Sequence, residues 1–266
     1  MLTAAMSPGR AAWWRHLGPV ANLVYYLYLG YVVVRSGVTA WRGRLDDASW
    51  AFQSHSLLWR LEWLGARFHI TGLEHLRACQ GGAVLVANHM SALETVVLPG
   101  QVLPFLPCVF VVKEALLRYP FFGRILRATV SIAITRKNPR ADLEKVLEEG
   151  PLLLQQGRAI ILFPQGTRSQ QFTPASCGSL GAKLARRAGV PLVPVALRTD
   201  MWGIGWPVKD IGWLRADREV WIEFGPPLPV TGNGRAEHQA SMAWIAQKLL
   251  GWGVTVHAAE AANEAG

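Results

Sequence analysis

Residues 82–94 read Gly-Ala-Val-Leu-Val-Ala-Asn-His-Met-Ser-Ala-Leu-Glu, and the change of pattern inside this stretch decides the fold. Ala83–Ala87 is a short apolar run bounded by Gly82 and Asn88, the pattern of a buried strand. Ser91-x-x-Glu94 ahead of an apolar run is a capping box, which predicts a helix from Ser91 with Glu94 in its first turn. The same alternation recurs downstream. Strands are predicted at Val109–Val112, Val130–Thr135, Ala159–Phe163, Leu192–Leu197 and Val220–Phe224. Helices are predicted from Pro139, with Asn138 as cap, to about Gln156 ahead of Gly157, at Leu180–Ala188 ahead of Gly189, and at Ala236–Leu250. Gly150-Pro151 marks a kink point in the first of these. Strand and helix in alternation imply an α/β layered domain with a mainly parallel central sheet flanked by helices. Ala258–Gly266 is small, polar and expected to be disordered.

The 266 residues suffice for one sizeable catalytic domain with a short appendage. Twenty-seven Lys and Arg against 18 Asp and Glu give +9, which implies an anionic partner: nucleic acid, lipid headgroups or a phosphorylated substrate. Charged residues are only 17% and the mean hydropathy is +0.19, a balance that favours the membrane over nucleic acid. A Lys/Arg stripe on a helix is not read from the sequence, and the aromatics lie in apolar context, so nucleic acid is set aside. Cys79, Cys108 and Cys177 lack the spacing of a disulfide framework or a zinc site, and no metal or cofactor is expected.

Upstream, Leu17–Val34 carries no charge and spans about 27 Å as a helix, marginal for a bilayer crossing. Tyr25, Tyr26, Tyr28 and Tyr31 lie within it, and tyrosine prefers the headgroup level, so an interfacial or re-entrant helix is expected. Trp13, Trp14, Trp41, Trp50, Trp59 and Trp63 follow the same pattern, with an aromatic core as the alternative. Over Trp50–Arg67 a helical wheel puts Trp50, Leu57, Leu61 and Leu64 on one side and Phe52, Trp59 and Trp63 on the other. One face is expected to meet the domain and the other lipid. The divisions are 1–66 as a membrane-anchoring helical segment, 67–253 as the catalytic domain and 254–266 as the tail.

His89 and Glu94 are five positions apart, about 140° around an ideal helix, so they meet only if His89 lies in the turn before the helix. Two readings stay open. Glu94 is a helix cap and His89 a polar loop residue, or His89 is a general base whose tautomer Glu94 fixes. Phe163-Pro164-Gln165-Gly166-Thr167-Arg168-Ser169 follows a predicted strand and exposes backbone N–H groups, a hydroxyl and a guanidinium, an anion-holding combination. Lys113 and Arg136 also follow strands. Each cation alone reads as a solvated surface charge, but the ligand crevice of a parallel sheet lies at the carboxyl ends of its strands, where these residues and His89 would gather. A serine-nucleophile elbow is missing.

NHMSALE, the basic residues after the next strands, FPQGTRS and Val190-Pro191-Leu192-Val193-Pro194-Val195 together resemble the motifs of the 1-acylglycerol-3-phosphate O-acyltransferase family, in order and spacing, over about Arg67–Pro229. The family's motifs read NHx₄D and FPEGTRS at the corresponding places. The resemblance implies that His89 deprotonates the free hydroxyl of a lysophosphatidate-like acceptor, which attacks acyl-CoA or acyl-carrier protein as co-substrate, giving phosphatidate. It also implies that Glu94 supports His89, that Lys113 and Arg136 contact phosphate, and that Gln165, Gly166, Thr167 and Arg168 form the acceptor motif. Membrane phospholipids are the implied surroundings and the cytoplasmic face the implied location. Glu94 stands for the usual Asp and Gln165 for the usual Glu; the second change bears on which lyso-lipid is the acceptor. The different-class alternative is a non-catalytic basic membrane-binding protein.

Overall fold

The computed structural model describes residues 18–79, 81–206, 210–215 and 217–257. Trp13, Trp14 and the predicted tail from Ala258 lie outside them. Seven strands, β1 (Arg67–Thr71), β2 (Ala83–Ala87), β3 (Cys108–Lys113), β4 (Ile132–Ile134), β5 (Ala159–Leu162), β6 (Leu192–Arg198) and β7 (Glu219–Phe224), form one sheet in the order β1-β7-β6-β2-β5-β3-β4. From β6 to β4 all neighbours are parallel; β7 runs antiparallel to β6 and carries β1 parallel to itself. β2 and β5 are buried along their whole length, which is why they read as continuous apolar runs.

The helices are α1 (Gly18–Trp41), α2 (Asp47–Trp63), α3 (Leu73–Arg77), α4 (Leu93–Val102), α5 (Phe122–Ala128), α6 (Pro139–Gln155), α7 (Leu180–Ala188) and α8 (Arg235–Gly251). Because successive strand side chains alternate faces, the sheet builds two cores. Leu85, Ile161 and Val193 pack with Tyr25, Leu61 and Leu93 on one side, while Val84, Ile160 and Leu162 pack with Val146, Leu184 and Ile245 on the other.

The sequence reading differs from the structure where partners are distant. β1 falls in the segment read as a helix to Arg67: Gly65, at φ 102°, breaks the chain away and β1 pairs with β7 in the register Arg67 to Glu219. The expected strand from Val130 begins only at Ile132, because Val130 sits in the left-handed region at φ 54°. α6 runs on through Pro151, and Gly150 is there for close packing, since a Cβ would stand 2.7 Å from Leu184 Cδ1. α7, read without a basic stripe, presents Lys183, Arg186 and Arg187 on its exposed face at helical spacing.

α1 is longer than expected, about 36 Å at ~1.5 Å per residue, and is long and apolar enough to cross a membrane. One of its faces is nevertheless part of the protein. The Asn22 amide accepts from Leu214 N–H at 2.7 Å and donates to its carbonyl, and Tyr25 is fully buried edge-on to Trp202 at 5.5 Å. Tyr26 donates its hydroxyl to the Gly212 carbonyl. With Tyr28, whose ring lies under the Arg60 guanidinium of α2 at 4.5 Å, three of the four tyrosines read as headgroup anchors contact the rest of the protein. The opposite face, with Leu23, Leu27 and Tyr31, is exposed. α2 is two-faced as well: Leu57, Leu61 and Leu64 are buried, Trp50 is half-buried, and Phe52, Trp59 and Trp63 are exposed. Ser54 ties its inner face to α4, donating to the Val96 carbonyl at 2.6 Å and accepting from Gly100 N–H at 2.8 Å.

Candidate active site

At the carboxyl end of β2 the chain turns toward α4, and Asn88 fixes the turn by pairing both amide atoms with the backbone of Leu197 on β6, at 2.7 and 2.8 Å. His89 follows, almost buried. Its Nδ1 hydrogen-bonds Glu94 Oε2, its ring stacks on Phe163 at 4.1 Å, its N–H donates to Gln165 Oε1 at 2.7 Å, and its carbonyl accepts from Ser169 N–H at 2.9 Å. The two sequence motifs are thereby held together at the histidine.

Glu94 is fully buried. Its Oε1 accepts from Met90 N–H at 2.7 Å, from Ser91 N–H at 2.9 Å and from the Thr199 hydroxyl, while Oε2 faces His89. Ser91 Oγ in turn accepts from Leu93 N–H at 3.1 Å. The capping reading and the acid–base geometry thus coexist in one carboxylate, because its two oxygens divide the tasks. α4 itself begins at Leu93, two residues after the predicted start. A carboxylate is acceptor-only, so Nδ1 carries the proton of a neutral His89 and Nε2 has the free lone pair.

Arg136, after β4, adopts φ 59°. Its turn is pinned by Asp142, which accepts from Thr135 N–H at 2.8 Å and Arg136 N–H at 2.7 Å. Partial burial pushes Asp142 up, but these hydrogen bonds outweigh it and hold its carboxyl below the ordinary value. The Arg136 guanidinium donates to the Gly166 carbonyl. Burial first, then the positive charge of Arg168, lower Arg136 from its usual value; the two guanidiniums are close enough to repel, which a bound anion would relieve. Arg168 is ion-paired with Asp210.

Of the residues expected at the site, Arg136, Gly166 and Arg168 come together, and Thr167 is exposed on the same loop. Lys113 ends β3 opposite Ile134, on the same edge of the sheet. Gln165 turns inward to the His89 backbone. The sequence reading did not include Thr199, Asp210 or Asp142; the position of Thr199 just beyond β6 and of Asp142 in the first turn of a predicted helix could have marked those two. Burial raises the Cys177 thiol to about 11, which keeps it protonated near neutrality. Among the described residues no three His, Cys, Asp or Glu side chains are grouped to hold a metal ion.

The family described as "Acyltransferase" matches residues 67–198. The chain is 31% identical over 189 residues to the 1-acyl-sn-glycerol-3-phosphate acyltransferase of Pseudomonas aeruginosa, covering 70% of each chain. To the enzyme of the same name from Escherichia coli K12 it is 34% identical over 157 residues, 58% of this chain and 60% of that one. In fold it is similar to the crystal structure of the 1-acyl-sn-glycerophosphate acyltransferase of Thermotoga maritima, with TM-score 0.68, 18% identity, and coverage of 90% of this chain and 98% of the other.

Proposed function

This chain belongs to the acyltransferase family, and on that premise we propose that it transfers an acyl chain from a thioester donor to the free hydroxyl of 1-acylglycerol 3-phosphate, giving phosphatidate. The observation that carries the reading is the buried His89–Glu94 pair, with Nε2 free, on the same sheet edge as the adjacent guanidiniums of Arg136 and Arg168. The Nε2 lone pair takes the hydroxyl proton as the oxygen attacks the thioester carbonyl. The C–S bond then breaks, and the imidazolium returns its proton to the departing thiolate. Glu94 stabilises the charged ring in between. Acyl-CoA or acyl-carrier protein supplies the thioester, and no acyl-enzyme forms.

The test is the purified protein in detergent with a labelled acyl thioester and a panel of lyso-lipids. Phosphatidate from lysophosphatidate is the expected product; preference for an uncharged or zwitterionic acceptor would overturn the acceptor. We expect Arg136→Gln and Arg168→Gln each to raise the acceptor KM roughly tenfold or more with a smaller change in kcat, because a charge-assisted contact to phosphate contributes ~1.5–3 kcal/mol. A rise in donor KM instead would reassign this anion site.

The acceptor and product are membrane lipids, so the enzyme works at a bilayer, on the cytoplasmic face where thioester donors are found. The outer faces of α1 and α2 support this placement, with Leu27 66% and Trp59 53% exposed. Replacing Phe52, Trp59 and Trp63 together by Ser is expected to cut liposome flotation severalfold while the unfolding temperature holds, since these side chains point away from the core. Undiminished flotation across a salt series would place membrane contact elsewhere.

A further inference from the structure

The segment that follows β6 meets the candidate active site twice. Its first residue, Thr199, donates its hydroxyl to Glu94 Oε1, and Asp210 further along pairs with the Arg168 guanidinium. The base of the segment is a narrow antiparallel pairing, in which Gly203 N–H donates to the Trp213 carbonyl at 3.0 Å and Arg215 N–H to the Met201 carbonyl at 2.8 Å. Its two sides approach so closely that a Cβ on Gly212 would stand 1.7 Å from the Gly203 carbonyl oxygen. Trp202, buried at that base, donates its Nε1–H to the Asp210 carbonyl at 3.2 Å, which fixes the backbone from which the Asp210 carboxylate reaches Arg168.

α1 holds the same segment from its other side. The Tyr26 hydroxyl donates to the carbonyl of Gly212, Asn22 pairs with both backbone groups of Leu214, and the rings of Tyr25 and Tyr26 stand edge-on to Trp202 at 5.5 and 5.7 Å. Contacts therefore run from α1 through Trp202 and Asp210 to Arg168. The charges at their end explain what a carboxylate does there. Arg136 and Arg168 are close enough to repel, and a carboxylate on Arg168 offsets part of that repulsion while it fixes one edge of the guanidinium. Arginine has five N–H donors, so its side chain can hold a carboxylate and a phosphate at once. A guanidinium already in place also loses less freedom when the anion arrives. We propose that Asp210 is a positioning residue for the acceptor's anion site and that Tyr26 fixes it there, so that α1 takes part in holding the substrate.

This role rests on Arg168 meeting the acceptor's phosphate, as proposed above, yet the decisive measurement is binding and needs no turnover. Lysophosphatidate is titrated calorimetrically into the full-length protein in detergent and into Asp210→Asn, Tyr26→Phe and the double variant, with circular dichroism verifying that each is folded. Asp210→Asn is expected to raise Kd about fivefold or more and Tyr26→Phe about threefold. The double variant should bind no more weakly than Asp210→Asn alone, because Tyr26 acts through Asp210. In turnover the lysophosphatidate KM follows these shifts while kcat and the donor KM hold, a split that a general loosening of the fold does not produce. Asp210→Asn protein that binds as tightly as wild type, or more tightly, overturns the proposal, since Asp210 would then be idle or a competitor of the phosphate. Losses that add in the double variant overturn the part given to Tyr26. If wild-type protein acylates lysophosphatidate and the variants match it, the reaction stands and the positioning fails; if the variants lose binding as expected and no lyso-lipid is acylated, the positioning stands and the proposed reaction fails.

Discussion

Replacement of His89 by Ala is expected to lower acyl transfer by at least ~10²–10⁴-fold, the range of a positioned general base. The loss should fall on kcat, because the acceptor's phosphate contacts at Arg136 and Arg168 remain. The change is not silent for folding. It strands Glu94 Oε2, a fully buried carboxylate oxygen whose partner is the His89 ring, and an unsatisfied buried acceptor costs about 1–3 kcal/mol. Turnover is therefore measured beside urea unfolding, at a temperature where both proteins are folded. A folded variant that keeps more than a tenth of wild-type kcat would remove His89 from the role of base.

Glu94→Gln is expected to have the next largest effect, and it acts on both readouts. The glutamine oxygen can still accept from Met90 and Ser91, but its amide group then faces His89 Nδ1 with a donor. The ring answers by moving its proton to Nε2, which loses the lone pair that the reaction needs. In a Ser-His-Asp triad the equivalent change costs ~10⁴ in kcat, and a loss of 10²-fold or more is expected here. Glu94→Asp keeps a carboxylate and should retain the larger share of activity. Equal, severe loss in both would show that reach, rather than charge, governs the site.

How far the sequence reveals this molecule follows the distance between partners. β2, β5 and β6 are buried on both faces, so composition alone marks them, and the capping box at Ser91 foretold that His89 would precede its helix. Arg136 was visible as the cation after a strand. Its left-handed backbone and its clamp by Asp142 were not, because hydrogen bonds to a turn leave no periodic trace. Thr199 reaches Glu94 across a separation of 105 residues, and Asn88 reaches Leu197 across 109; such pairings are set by strand order, which local pattern does not encode. β1 fails for a related reason. It is a half-buried strand without clean alternation, and only its pairing with β7 makes it one. The basic face of α7 is short enough to disappear into the overall positive charge.

The bond between Asn22 and Leu214 closes over 192 residues. At synthesis rates of ~5–20 residues per second, α1 therefore exists for roughly ten to forty seconds before the segment that covers its inner face has been translated. During that interval Tyr25 has α2 residues such as Leu61 to pack with but lacks Trp202, and Asn22 lacks its Leu214 partner. A nascent chain in this state still exposes the part of the inner face that Trp202 and Leu214 will cover. Completion of the chain covers that part and leaves the outer face, with Leu23, Leu27 and Tyr31, exposed. The order of translation thus leaves the inner face of α1 incomplete until the segment around Leu214 has been made.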